Sequence, residues 1–218
     1  GVGGAVLGTR MIYLISKNNS QLNALAFTFL IGAFGGAIMF YSLIVDSFVM
    51  LLFGAFILGI GQSATLQTRY AASFVASEKF KATALSLAVW FSVFGSVFGP
   101  RMVGSYSNFF ENIFNSELIV GYVIALVGML FAASSLFIFT SKKSILRSPS
   151  NLESELNNQN SNKKNGNLLS LLLVLNHFTM VVIMSATPLH IQDIGETVQL
   201  VGIIISYHTL GMFLFSPI

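Results

Sequence analysis

Long uninterrupted runs of apolar residues are the feature of this sequence that most restricts its fold. Several of them extend over about 20 residues, the length that an α-helix needs to cross a hydrocarbon layer of about 30 Å. Hydrophobic residues make up 54% of the 218 positions and charged residues only 9%, whereas a soluble domain has about 25% charged residues. Because a water-soluble core cannot enclose so much apolar surface, we predict an all-α, multi-pass transmembrane helix bundle.

Polar segments divide the chain into about seven predicted spans. The first is interpreted as the tail of a helix, and the others are close to the length of a membrane-crossing helix. Because the sequence opens and closes within apolar runs, we expect further helices on both sides of it. The predicted spans are Gly1–Ile15, Leu22–Val45, Phe48–Thr68, Ala82–Gly104, Leu118–Thr140, Leu168–His190 and Val198–Ile218.

The segments between these spans differ in length and composition. Asp46 and Ser47 predict a tight return, whereas residues 69–81 and 105–117 are interpreted as polar connections. Residues 141–167 are rich in Ser, Asn and Lys and hold too little apolar surface to fold alone, which is typical of a flexible linker. The predicted units are a transmembrane part at 1–140 with about five spans, a linker at 141–167, and a second transmembrane part at 168–218 with two spans.

Lysine and arginine lie almost entirely on one set of alternating loops. All of the 11 basic residues except Arg101 follow this division, and positive residues accumulate on the cytoplasmic side of a membrane. The linker and the basic loops are therefore predicted to face the cytoplasm of a plasma-membrane protein. The basic residues form no stripe typical of nucleic-acid binding.

The sequence lacks the residues that several kinds of functional site require. It contains no cysteine, which excludes disulfides, thiolate metal sites and a cysteine nucleophile. It also has no HExxH zinc motif and no nucleotide-binding glycine loop. We therefore expect no enzyme, no bound metal and no cofactor.

Glycine pairs spaced four residues apart allow helix backbones to approach closely in lipid. The first two pairs are predicted to serve packing alone. The third begins a longer motif at the outer end of its predicted span. The pairs are Gly4–Gly8, Gly32–Gly36 and Gly95–Gly99.

The motif that begins at Gly95 resembles the GxxxGPxxGG pattern on the fifth helix of the major facilitator superfamily of secondary transporters, often called the antiporter motif. Gly95, Gly99, Pro100 and Gly104 match this pattern, whereas Val103 stands where the family prefers glycine. Proline and glycine bend such a helix. A proline kink in an unrelated bundle is the alternative interpretation.

The resemblance extends to the layout of the chain, and it implies the second to eighth of twelve helices, with a cytoplasmic linker after the sixth. Two other family motifs are incomplete. Residues 8–17 lack the aspartate and the arginine pair of the family's loop after the second helix, and Ala55 replaces an arginine of many proton-coupled members. Proton coupling through that arginine is not predicted.

Two histidines are predicted to lie near the bilayer midplane. At 1.5 Å per residue, His177 and His208 lie roughly 14 and 15 Å from the ends at which their spans enter the membrane. Asn176 and Tyr207 are their neighbours. Because histidine can carry a proton near neutral pH, we hypothesise a substrate or proton site here, with hydrogen bonding between helices as the alternative.

The first transmembrane part offers further candidates in helices that line the central cavity of the resembled family. Gln62, Gln67 and Trp90 supply amide groups and an aromatic face, which suit an amphipathic organic solute. Packing of Trp90 against lipid or a neighbour is the alternative. Arg69 is interpreted as a snorkelling anchor or as a gate of the cavity.

The resemblance implies secondary active transport of a small organic solute by alternating access, with proton-coupled export of a drug or metabolite as the more specific form. The expected partners are the lipid bilayer, the solute, protons and the remaining helices. A seven-helix receptor and a membrane-embedded enzyme are the alternatives.

Overall fold

The computed structural model describes residues 2–114, 116, 119–142 and 163–213. Within these residues the chain forms seven α-helices and one turn of 3₁₀ helix, and no strand. The predicted all-α helix bundle is confirmed. The helices are α1 Val2–Asn18, α2 Gln21–Ile44, α3 Phe48–Val75, α4 Lys81–Phe114, α5 Ile119–Lys142, α6 Lys163–Asp193 and α7 Val198–Phe213, and the 3₁₀ turn is Glu78–Phe80.

Four of the described helices, α2 to α5, are long and apolar enough to cross a membrane. Helix α6 has 31 residues, and its stretch Phe178–Ile191, where the side chains are described, is also apolar. Helices α1 and α7 have 17 and 16 residues, and each reaches the edge of the described part of the chain. Length and composition thus support four of the predicted spans within the described residues.

Two segments that the sequence presents as polar connections are mostly helical. Helix α3 continues to Val75, so Arg69 lies within it, and α4 continues to Phe114. Neither extension contains glycine or proline, and the rings of Phe110 and Phe114 stack 6.2 Å apart on α4. Polar residues alone do not end a helix that side-chain packing supports.

The predicted return at Asp46 and Ser47 is confirmed. Asp46 adopts a positive φ of 52°, a conformation that aspartate tolerates better than most residues. The Ser47 hydroxyl accepts a hydrogen bond from the N–H of Met50 at 3.4 Å, which caps the start of α3. Most of the predicted linker, residues 143–162, lies outside the described residues.

Helices α1, α2, α3 and α5 enclose the main core, and glycines set their spacing. A Cβ at Gly32 of α2 would lie 2.6 Å from the Cα of Gly61 in α3. Gly4 and Gly8 of α1 face the α3 backbone as closely, which confirms the predicted packing role of these glycines. The buried core residues are Ile12, Ala24, Leu25, Phe29, Ala64, Ala71 and Ala133.

Candidate functional site

Helix α7 packs closely along α4. A Cβ at Gly104 would lie 2.9 Å from the Cα of Gln199, and a Cβ at Gly202 would lie 2.5 Å from the carbonyl oxygen of Pro100. Residues with higher numbers in α7 therefore contact residues with lower numbers in α4, so the two helices are antiparallel. This contact, the α4–α7 interface, joins a helix that precedes the predicted linker to one that follows it.

A serine hydroxyl crosses the α4–α7 interface beside the proline. Pro100 lies inside α4 and has no N–H to donate, so the helix loses a backbone hydrogen bond there. The Ser206 hydroxyl lies 2.9 Å from the carbonyl oxygen of Val97 in α4 and 2.7 Å from that of Gly202 in its own helix. Its single proton thus has two acceptors, one of which ties α7 to α4 next to the weakened turn.

Only part of the glycine motif contacts α7. Pro100 and Gly104 do, whereas a Cβ placed at Gly95 or Gly99 would have no described atom within 4 Å apart from the nearby backbone of α4 and the adjacent residues. The partner residues Gly202 and Ser206 are not among the residues predicted from the sequence. Their spacing of four residues, with a small side chain at each position, is the signal that could have identified them.

Tyr207 lies against α4 rather than beside a histidine. The guanidinium carbon of Arg101 lies 5.5 Å from the centre of the Tyr207 ring, within the range of a cation–π interaction. The tyrosine side chain is otherwise 61% exposed within this chain. Arg101, the one basic residue outside the predicted cytoplasmic set, therefore has an aromatic neighbour on α7.

His208 lines a small crevice between α6 and α7. The crevice has a volume of about 50 Å³, and Ile183, Met184 and Thr187 form its α6 side. A drug-sized ligand occupies roughly 300 to 1,000 Å³, so this crevice alone cannot enclose one. The side chains of Asn176 and His177 lie outside the described residues.

The crevice also indicates how α6 and α7 are aligned. Its residues place His208 about level with Ile183. His177 lies six residues earlier on α6, which corresponds to roughly 9 Å along the helix axis. A site that uses both histidines has to extend over that distance.

A larger cavity of about 410 Å³ lies between α2, α3, α4 and α5. Its polar lining comes from Thr65, Thr68 and Arg69 of α3 and from Ser92 of α4. The Thr68 hydroxyl donates to the carbonyl oxygen of Ala64 at 2.7 Å. No acidic side chain pairs with Arg69 among the described residues, so its guanidinium is the strongest donor that this cavity offers to a ligand.

The other candidates of the first transmembrane part do not line this cavity. Gln62 is exposed. The Gln67 amide nitrogen is buried and has no hydrogen-bond partner within the described part of the chain, an unusual state for a buried polar group. Trp90 contacts the rings of Phe91 and Phe94 edge-on, with centroids 5.7 and 5.4 Å away. In the ranges described, no three His, Asp or Glu side chains are grouped as a metal site would require.

Two proteins of Bacillus subtilis (strain 168) are similar to this chain. An uncharacterized MFS-type transporter, YddS, is 27% identical over 226 residues, which covers 99% of this chain and 52% of that protein. A second uncharacterized MFS-type transporter, YdeG, is 27% identical over 212 residues, which covers 93% of this chain and 49% of that protein. The chain thus spans about half the length of these relatives. No family model and no solved structure matches.

The similarity extends over nearly the whole chain and so includes the motif that begins at Gly95. It confirms the resemblance to transporters of the major facilitator superfamily that the sequence motif and layout indicate. The apolar helices and the named relatives together identify a multi-pass integral membrane protein.

Proposed function

We propose that this chain is part of a secondary transporter that moves a small organic solute across the plasma membrane by alternating access. Residues 1–140 and 168–218 belong to its two halves, and the predicted linker, residues 141–167, connects them on the cytoplasmic side, with its two ends continuing α5 and α6. The two relatives support this proposal because both are named transporters.

The α4–α7 interface is the observation that carries the proposal. It joins the two halves through backbone contacts at Gly104 and Gly202 and through the hydrogen bond from Ser206 to Val97. Few large side chains have to disengage when such helices tilt against each other. Rocking of one half against the other is the motion that alternating access requires.

Paired spin labels test this motion in the full-length protein. This segment contains no cysteine, so cysteines introduced here provide defined attachment points once others in the protein are replaced. One pair, Asp46→Cys with Glu196→Cys, reports on the predicted outer side, and a second pair, Lys17→Cys with Leu168→Cys, reports on the cytoplasmic side. We expect two populations, in which the outer distance lengthens when the inner distance shortens.

A pair within one half serves as the control. Asp46→Cys and Lys17→Cys both lie in the first half, so their mutual distance should stay constant. A single population for both cross-half pairs, at every pH in the range where histidine titrates, would contradict alternating access.

For the coupling, we propose proton-driven export in which His177 and His208 take part. Alanine at either position removes an imidazole, a side chain that can carry a proton near neutral pH. We therefore expect the two distance populations to lose their pH dependence in His177→Ala and His208→Ala. His190→Ala is the matched control, since His190 lies near the predicted outer surface, and it should respond to pH as the unmodified protein does. Unchanged pH responses in both test variants would exclude the two histidines.

For the solute, we propose an amphipathic organic compound that enters by way of helices α3 and α4. The guanidinium of Arg69 offers a donor in the cavity between α2, α3, α4 and α5. Outside the lining of that cavity, α3 carries the unpartnered amide of Gln67, and α4 carries the aromatic face of Trp90 with its neighbouring rings. Such a mixture of apolar surface and a few polar groups is typical of small-molecule sites.

A further inference from the structure

We propose that the outer part of the α4–α7 interface binds the negatively charged group of an organic anion through Arg101. The inference rests on the proposed transport function, and it adds the class of substrate. The cavity lies near the predicted outer end of α4. The predicted loops on that side of the membrane contain no other basic residue.

The cavity at this place has the size of a small-molecule site. Its volume is about 530 Å³, within the roughly 300 to 1,000 Å³ of ligand pockets. Arg101, Ser105 and Gln199 supply hydrogen-bonding groups, and Ile203 and the Tyr207 ring supply apolar surface. The lining therefore suits a molecule with one polar end and one apolar end.

The Arg101 side chain is exposed within this chain, but its guanidinium contacts an aromatic ring of α7. Because Gly104 meets Gln199, Arg101 lies about level with Gly202, and Tyr207 lies five residues further along α7. This corresponds to roughly 7.5 Å toward the predicted midplane, yet the guanidinium lies over the Tyr207 ring. Side chains lean toward the N-terminus of their own helix, so on these antiparallel helices Arg101 leans inward and Tyr207 leans outward, and the two side chains meet between the two levels.

The charge of Arg101 has no acidic partner in the described part of the chain. The face of an aromatic ring offsets only part of the cost of placing a cation within a membrane. A carboxylate or phosphate offsets more, because guanidinium binds it through two parallel hydrogen bonds. The Gln199 amide at the rim can donate a further hydrogen bond to the same group.

Protection of a cysteine from labelling tests the site in the full-length protein. Ser105→Cys places a thiol in the cavity lining, and its reaction with a membrane-impermeant maleimide is followed with and without benzoate, phenyl phosphate and benzamide. We expect benzoate and phenyl phosphate to slow the reaction and benzamide, which has the shape of benzoate without its charge, to have little effect.

The dependence on Arg101 is the decisive comparison. Arg101→Gln in the Ser105→Cys background should raise the benzoate concentration needed for half protection by about tenfold or more, the loss expected for a hydrogen bond to a charged group. Arg101→Lys should give an intermediate value, because it keeps the charge but not the paired donors. Arg10→Gln, which removes an exposed arginine of α1, is the matched control and should leave protection unchanged. Protection is the ratio of the labelling rates with and without the compound in the same variant, so any effect of Arg101 on thiol reactivity cancels.

Three results would overturn the inference: equal protection by benzamide, protection by benzoate that survives Arg101→Gln, or no protection by either anion. The spin-label experiment keeps this inference separate from the proposed function. Arg101-dependent protection without two distance populations would retain the anion site and reject alternating access. Two distance populations without Arg101-dependent protection would retain alternating access and reject the anion site.

Discussion

Gly202→Ala is expected to shift the equilibrium between the two spin-label populations by about fivefold or more, away from the state in which α4 and α7 touch. Overpacking a closely packed site costs ~1–3 kcal/mol. The added methyl group would lie 2.5 Å from the carbonyl oxygen of Pro100. A backbone atom cannot rotate out of the way as a side chain can. The α4–α7 contact therefore has to loosen along its length.

The same substitution on the same helix provides the control. Gly211→Ala adds a methyl group where, apart from the nearby helix backbone and the adjacent residues, no described atom lies within 4 Å of the new Cβ. The outer pair of spin labels, at Asp46→Cys and Glu196→Cys, measures both variants. If Gly202→Ala and Gly211→Ala gave the same populations, close contact at Pro100 would play no part in the exchange between states.

Gly32→Val is expected to lower the free energy of unfolding by ~3 kcal/mol, the upper end of the usual cost of overpacking. A Cβ at this position would lie 2.6 Å from the Cα of Gly61 and 2.6 Å from the sulfur of Met129. Helices α2, α3 and α5 meet here, so a branched side chain cannot be accommodated by moving one helix alone.

Thermal unfolding of the purified full-length protein, followed by the fraction that stays monodisperse after heating, measures this loss. Gly95→Val is the matched control, because a Cβ at Gly95 has no described atom within 4 Å apart from the nearby helix backbone and the adjacent residues. We expect its midpoint to stay near that of the unmodified protein. A Gly32→Val midpoint equal to that of Gly95→Val would contradict the packing described for α2 and α3.

The sequence predicts the helices better than their ends. Apolar runs of membrane-spanning length leave the helix as the main option, because every backbone polar group in lipid needs a partner within its own segment. The ends at Val75 and Phe114 were missed because serine, asparagine and glutamate permit a helix to continue once packing supports it. The tight turn at Asp46 was predicted correctly because only two residues separate the apolar runs.

Some residues of the candidate site can be predicted from the sequence, and others depend on how the helices pack. Pro100 and Gly104 are recognisable from their motif, but their contacts Gly202 and Ser206 depend on which helix lies opposite. Depth along a span can be counted from the sequence, whereas the face that a residue presents cannot. Tyr207 therefore meets Arg101 on α4, although it stands beside His208 in the sequence.

The two acceptors of the Ser206 hydroxyl bear on how reversible a separation of α4 and α7 can be. While the helices touch, the proton can reach the carbonyl oxygen of Val97, and when they part it still has that of Gly202, 2.7 Å away on the same helix. An unsatisfied donor in lipid would cost several kcal/mol, which would make parting steeply uphill. Because the hydroxyl always keeps one acceptor, the α4–α7 interface can separate and re-form with little change in hydrogen-bond energy.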